Sequence, residues 1–328
     1  NEIEGDGCDT NCTFSACGNG ILAPGESCFT EAGSFPVGLS PQAVVSADFN
    51  GDGLLDLATA NQNSDNLSVL FNEGGGLFGG QVPLEPLNSL PKALQAADLD
   101  GDGDFDLAVA ATGDNVVRVF ENNGAGGFAR RGTFQVGNGP GAMAVGDLNR
   151  DSLPDLVTAN AGSQDLSILL NNFASQGVIG FLPAQSLAAV PFPDAHIGVA
   201  IGEVSLDPGS NLDVVASVVF EAGIRPEIGV LEGLGDGGFF APESFQVGPQ
   251  SADSINSIAI GELNGDGIND VVISHTGLSS FGVLLGTGAG NQGGELFFAE
   301  QLVEAGGGQR ALTLGDLNAD GALDVVVL

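Results

Sequence analysis

The sequence predicts an all-β chain, a β-propeller of four-stranded blades with six blades in preference to seven, preceded by a small disulfide-rich N-terminal segment. Three observations carry that expectation. An acidic loop is written five times along the chain, four short apolar runs separate one loop from the next, and turn dipeptides close those runs.

In the first loop, Asp48-Phe-Asn50-Gly-Asp52-Gly-Leu-Leu-Asp56, an acid is followed two, four and eight residues later by Asn, Asp and Asp. The pattern returns from Asp98, Asp147, Glu262 and Asp316. Calcium is a hard cation that gathers many oxygen ligands, so a short loop must aim several carboxylates and a carbonyl at one point. Alternating acids do this, and Gly51, Gly53, Gly101, Gly103, Gly265, Gly267 and Gly321 permit the backbone angles that the curl needs. Asp-Gly and Asn-Gly also make ordinary hairpin turns. Turn chemistry alone, however, does not ask for three acids at one spacing five times over.

Aligning the first acid of each loop gives Asp48, Asp98, Asp147, Glu203, Glu262 and Asp316, with steps of 50, 49, 56, 59 and 54 residues. A period near fifty marks a propeller or solenoid. Within one copy, Ala93 to Ala97 is a run of small residues, the loop follows, and Phe105 to Ala110 is a second apolar run. Asn122-Asn-Gly closes a third run, Val116 to Phe120, and Gly126-Gly-Phe128 leads to a fourth, Thr133 to Val136. Four strands per repeat make a propeller blade, whose crowded inner strand suits Ala43, Ala93, Ala142 and Ala144. A parallel β-helix of calcium-binding nonapeptides is the alternative, but its repeat is far shorter.

The chain has 328 residues, 43% of them hydrophobic, enough for a real core. Its formal charge is -35, and 20 of its 42 acids lie in the five loops and a sixth, imperfect one. Nucleic acid and anionic membrane surfaces are excluded as partners, because both are bound through Lys and Arg clusters that this chain lacks. No window is long and apolar enough to span a bilayer, so direct membrane insertion is not expected. No N-terminal signal peptide is recognised, but Asn1 is not an initiator methionine, so this says nothing about export.

All four cysteines, Cys8, Cys12, Cys17 and Cys28, fall at the N-terminal end. An even number in a Gly-rich segment too short for its own core reads as a disulfide framework of undetermined pairing, and hence as export to an oxidising compartment. A zinc site is the competing reading. The expected organisation is a cysteine-rich segment over 1–31 and the propeller over 32–328.

Gly5-Asp-Gly-Cys8 and Cys17-Gly-Asn-Gly20 resemble the cysteine-rich disulfide repeat of multidomain surface proteins in myxobacteria and their relatives. Over residues 33 to 328, the loops, the Gly-Asp-Leu-Asn lead-in at Gly146 and Gly315, and the Gly-Gly-Phe step at Gly126 and Gly237 resemble the FG-GAP or VCBS repeats. Those are the calcium-loop blades of integrin α-subunit heads and of many bacterial surface proteins. The resemblance implies that side chains at loop positions one, three, five and nine, with the carbonyl at position seven, hold the ion. The implied ligands are Asp48, Asn50, Asp52, Leu54 and Asp56 in the first loop and Asp98, Asp100, Asp102, Asp104 and Asp106 in the second. The third loop supplies Asp147, Asn149, Asp151, Leu153 and Asp155, with Arg150 and Ser152 where glycines are usual. Glu262, Asn264, Asp266, Ile268 and Asp270 follow in the fifth loop, and Asp316, Asn318, Asp320, Ala322 and Asp324 in the sixth. About five calcium sites result. The fourth loop, with Glu203, Ser205, Asp207 and Asp213, is two residues longer and carries Pro208 at its turn, so it is expected to be empty or poorly filled.

Five repeats run from about Ala43 to Arg310, and a sixth begins at Ala311. Ser34-Phe-Pro-Val-Gly38 matches the outer strands Thr133-Phe-Gln-Val-Gly137 and Ser244-Phe-Gln-Val-Gly248, so residues 34–38 are expected to complete the last blade. The blade's third strand would then be missing, or supplied by downstream residues or by another molecule. His196 and His275 are the only histidines, neither near a nucleophile motif, and no phosphate-cradling loop appears. No catalytic residue is assigned. Trp and Tyr are absent, which weakens a sugar-stacking site, and the 20 Phe are expected between sheets. The leading reading is a non-enzymatic, exported, calcium-binding propeller at a bacterial cell surface or outside the cell. It would be a structural or adhesive module that self-assembles or meets a surface protein or glycan. A lectin-like or integrin-like recognition domain is the alternative, followed by a hydrolase or lyase.

Overall fold

The computed structural model describes residues 33–84, 87, 89–173, 178–187, 198–205, 209–218, 226–248, 254–289, 296–305, 311–317 and 321–327. Cys8, Cys12, Cys17, Cys28, Asp207, Asn318, Asp320 and His196 lie outside them, as does the proposed division at residue 31.

Five antiparallel sheets of four strands form in chain order. The first contains Pro41–Ala47, Asp56–Asn61, Asn66–Leu70 and Val82–Pro83, and the second Pro91–Ala97, Asp106–Ala111, Val116–Asn122 and Phe128–Gln135. The third contains Pro140–Gly146, Asp155–Asn160, Asp165–Leu169 and Gln185–Leu187. Val199–Gly202, Asp213–Val218, Glu227–Leu231 and Glu243–Gln246 make the fourth; Ile255–Gly261, Asp270–His275, Ser280–Leu284 and Gln301–Glu304 make the fifth. A sixth sheet pairs Leu312–Gly315 with Asp324–Val327. The inner strands stand side by side in chain order. This is the expected blade, with one adjustment. The outer strand of the second blade starts at Phe128 rather than Thr133, because the turn at Asn123 is tight enough to let pairing begin at once, with Asn122 opposite Phe128.

The core lies between blades, as five apolar clusters at the five junctions of six successive sheets. One inner-strand position does much of this packing. Leu94, Met143, Val199, Ile258 and Leu312 occupy it, each buried against the preceding blade. The last residue of each inner strand is Ala47, Ala97, Gly146, Gly202, Gly261 or Gly315. The reason is proximity at three of them. A Cβ on Gly146 would lie 2.7 Å from Ile201 Cγ2, one on Gly202 2.7 Å from Ile260 Cγ2, and one on Gly261 2.6 Å from Leu323 Cδ1.

Phenylalanine does pack between sheets. Phe134 meets Phe181 edge-on at 5.0 Å, Phe245 meets Phe297 at 5.2 Å, and Phe49 meets Phe128 at 5.5 Å. Residues 34–38 depart from expectation. They form no strand, and the last sheet has two strands. Among the described residues no third strand stands beside Asp324–Val327, so residues 34–38 have no neighbouring edge to hydrogen-bond.

Candidate metal centres

Each acidic loop connects the inner strand to the second strand of its blade. The position-one carboxylate organises it. Asp48 Oδ1 accepts the N–H groups of Gly51 at 2.8 Å and Asp52 at 3.2 Å, and Oδ2 accepts that of Gly53 at 2.7 Å. These bonds require left-handed backbone at Gly51, φ +75°, and Gly53, φ +85°. Asp98 repeats them with Gly101, Asp102 and Gly103 at 2.7, 3.1 and 3.0 Å. In the third loop Asp147 draws in Asp151 and Ser152 at 3.1 and 2.8 Å, and the left-handed angles fall on Arg150, φ +63°, and Ser152, φ +71°. That conformation costs roughly 1–2 kcal/mol per side-chain-bearing residue. The longer Glu262 curls its Oε1 back onto Asn264 N–H at 2.8 Å and Asp266 N–H at 3.3 Å. In the sixth loop Gly321 N–H reaches Asp316 Oδ2 at 2.9 Å.

The position-nine aspartate has a second task that the sequence did not announce. Asp106 Oδ2 accepts Leu99 N–H at 3.0 Å and its Oδ1 accepts Asn122 N–H at 2.8 Å, joining the loop entrance to the end of the third strand. Asp56 does the same with Phe49 and Asn72, Asp155 with Leu148 and Asn171, and Asp270 with Leu263 and Gly286. All four are buried. Burial pushes the carboxyls of Asp106 and Asp155 up to about 7 against their backbone hydrogen bonds, and raises Asp270 and Asp213 too. Asp48 goes the other way, held below the ordinary carboxylate range chiefly by the Gly53 N–H.

Asp98, Asp100 and Asp106 each bring a carboxylate oxygen within 4.8 Å of the others. Burial, and then the neighbouring Asp102, raises Asp100 as well. A donor set of carboxylate, amide and carbonyl oxygens without nitrogen or sulfur fits a hard divalent cation, and a cation there would offset the desolvation that disfavours the anions. The fourth loop differs. Asp213 takes the usual two N–H groups, Val204 at 2.8 Å and Gly233 at 2.9 Å, and adds Ser205 N–H at 3.0 Å. Its buried charge is answered by one more backbone dipole than its counterparts receive.

Sequence reasoning missed a polar chain on the second strands. Buried Asn61 donates to Asn66 at 3.1 Å and Ser68 at 2.9 Å while accepting from Thr59 at 3.1 Å. Asn160 repeats this with Asp165, Ser167 and Thr158. At the same position in the fifth blade stands buried His275, whose Nε2 lies 2.7 Å from Glu300 Oε1. Glu300 Oε2 in turn accepts Gly248 N–H at 2.5 Å, which makes this histidine part of a blade junction. The recurring Asp-Leu-x-Thr-Ala-Asn of 56–61 and 155–160 was the signal for it.

A family model described as an FG-GAP-like repeat matches residues 48–109, 98–158 and 263–327, together more than half of the chain. A crystal structure of a protein from Lactobacillus plantarum, β-propeller-like, is similar with a TM-score of 0.59 at 16% identity, over 90% of this chain and 80% of that one. BBS1N, solved in complex with ARL6DN and soaked with lead, aligns at 13% identity and a TM-score of 0.45 over 87% of each chain. No curated protein matches the sequence.

Proposed function

The chain belongs to the FG-GAP-like repeat family, and from that premise we propose that it is a calcium-stabilised, non-enzymatic propeller, exported to the cell surface or beyond as a structural or adhesive module. The observation that carries the calcium reading is the set of buried position-nine carboxylates. Asp56, Asp106, Asp155 and Asp270 sit beside further oxygen donors of their loops, and burial works against ionisation of the last three. Asp48, Asn50 and Asp52, with the Leu54 carbonyl, complete the first set, and the corresponding residues complete the second, third, fifth and sixth. A bound cation would supply positive charge at five of the blade corners, while the protein's own residues fix the loop's curl and tie it to the third strand. The fourth site is read as empty or poorly filled. Export accords with the cysteine-rich N-terminal segment, because disulfides and weak extracellular calcium sites belong to the same compartment.

The test is thermal unfolding of the full chain in millimolar calcium and after its removal by chelator, with static light scattering on the same samples. A large fall in the melting temperature supports the reading. An unchanged melting temperature overturns it.

A further inference from the structure

The asparagine at or just beyond the end of the third strand touches more than its own blade. Asn122 gives its backbone N–H to Asp106, position nine of the second loop, and its Nδ2 donates to the carbonyl of Phe105, position eight, at 3.1 Å. The same Nδ2 donates to the carbonyl of Phe49, position two of the preceding loop, at 2.9 Å. Asn171 repeats all three contacts one blade on, with Asp155, with Pro154 at 3.1 Å and with Leu99 of the second loop at 2.8 Å. Both asparagines are buried, so these bonds form away from competing water.

The contacts join end to end. Phe49 gives its N–H to Asp56 of its own loop and its carbonyl accepts from Asn122, and Leu99 stands likewise between Asp106 and Asn171. One path of hydrogen bonds therefore runs from the first loop through the second to the third. The corresponding residues of the fourth and fifth blades are Gly233 and Gly286, which keep the N–H to Asp213 at 2.9 Å and to Asp270 at 2.8 Å but have no carboxamide. No side chain fits at either, since a Cβ would run into the carbonyl oxygen of Leu212 or of Asn269, each the residue before its blade's position-nine aspartate. The carbonyl of Leu148 in the third loop accepts a backbone N–H instead, that of Gly237 at 3.2 Å. Between the fourth and fifth blades the tie comes from Asn269, whose Nδ2 donates to the carbonyl of Glu203 at 2.8 Å, in the loop read as empty or poorly filled.

We propose that Asn122 and Asn171 couple the first three cation loops, so that these fill as one cooperative unit while the fifth fills on its own. A loop held in its curl holds the carbonyl of its second residue. That carbonyl fixes the next blade's asparagine, and the asparagine fixes positions eight and nine of the next loop before a cation arrives there. The effect is reciprocal, because a coupling free energy belongs to the pair of sites. A contiguous hydrogen-bonded network is a physical route for such coupling, and the glycines of the fourth and fifth blades interrupt it. Asn122 and Asn171 are positioning residues, since their carboxamides hold the carbonyls of positions two and eight, which are not among the implied ligands. The inference rests on the calcium reading and adds to it which sites fill together.

The test follows hydrogen exchange of the full chain by mass spectrometry across a titration of free calcium, with one midpoint each for residues 48–56, 98–106, 147–155 and 262–270. Asp100→Ala with Asp102→Ala removes cation donors from the second loop and leaves Asp98 and Asp106 to hold its backbone. In the unaltered chain the first three midpoints should coincide. The double variant should raise those of the first and third loops by about fivefold or more and leave the fifth where it was. Adding Asn122→Ala should free the first loop from the second, while the third still follows it through Asn171. First and third loops that ignore the double variant, a fifth loop that moves as far as they do, or a first loop that still follows the second in Asn122→Ala overturns the coupling. The double variant changes only a half-buried and an exposed loop side chain, so it decides the matter even where Asn122→Ala does not fold. Calcium-dependent protection with four independent midpoints overturns the coupling alone, whereas no calcium-dependent protection in any loop overturns the calcium reading and the coupling with it.

Discussion

The second and fourth loops leave the same kind of inner strand and end on the same buried aspartate, Asp106 in one and Asp213 in the other. Both aspartates pin the loop entrance to the end of the third strand or the turn just beyond it. They part company in what surrounds the carboxylate. Asp106 has Asp98 and Asp100 within ligand range, while Asp213 has the added Ser205 N–H. The difference separates two jobs that a motif merges. Position nine ties the blade corner together by backbone hydrogen bonds in both loops, and under the proposed calcium reading positions one, three and five would decide whether a cation is held.

Removing calcium should have the largest effect. A site of ~10⁻⁴ M at millimolar calcium contributes about 1.4 kcal/mol, so five contribute about 7 kcal/mol, comparable with the whole stability of a typical domain. Calorimetry in calcium and in chelator measures this. Next comes Asp106→Ala, which orphans two buried N–H groups and should destabilise by about 3 kcal/mol even in chelator. Asp213→Ala orphans three such groups and should cost at least as much there. In calcium only the Asp106 variant should lose a further increment, and equal calcium responses from the two variants would erase the distinction drawn between the loops.

An intermediate effect is expected from pH. Asp106 and Asp155 have folded-state values of about 7, above the ordinary 3.8. A group raised on folding contributes stability that is whole below its unfolded value and is lost as pH rises through the folded one. The calcium-free protein should therefore melt at progressively lower temperature between pH 4 and pH 7, with the slope flattened at the upper end by added calcium. The smallest effect is Ser152→Gly, which relieves a left-handed angle at the cost of extra chain entropy and should gain about 0.5 kcal/mol. Calcium titration of that variant would sharpen how far the third loop resembles the second.

The loops, the period and the four-strand blade were legible because they are local. A calcium-type loop and its turns are written in consecutive residues, and a strand needs only its own alternation. The double role of Asp106 was not legible, since Asn122 N–H comes to it from sixteen residues away. Nor was the tie between His275 and Glu300, which joins the end of one strand to the residue before another at a blade boundary. The exposure of Val44 was hidden for the same reason. Its sequence context is that of Leu94 and Met143, and only the arrangement of whole blades distinguishes them. The match of residues 34–38 to other outer strands was visible, and the contacts of Phe35 and Gly38 repeat those of its counterparts. Their lack of strand pairing goes with a last sheet that has two strands among the described residues, a shortfall that the count of runs after Ala311 already showed.

The glycines at the ends of the inner strands act like the narrow faces of stones in an arch. At Gly146, Gly202 and Gly261 the next blade's Ile201, Ile260 and Leu323 press to within 2.7 Å of where a methyl would stand. The taper of each wedge, and with it the angle turned from one blade to the next, is set at these points. A single added methyl would open the angle there and shift the next blade outward from its neighbour.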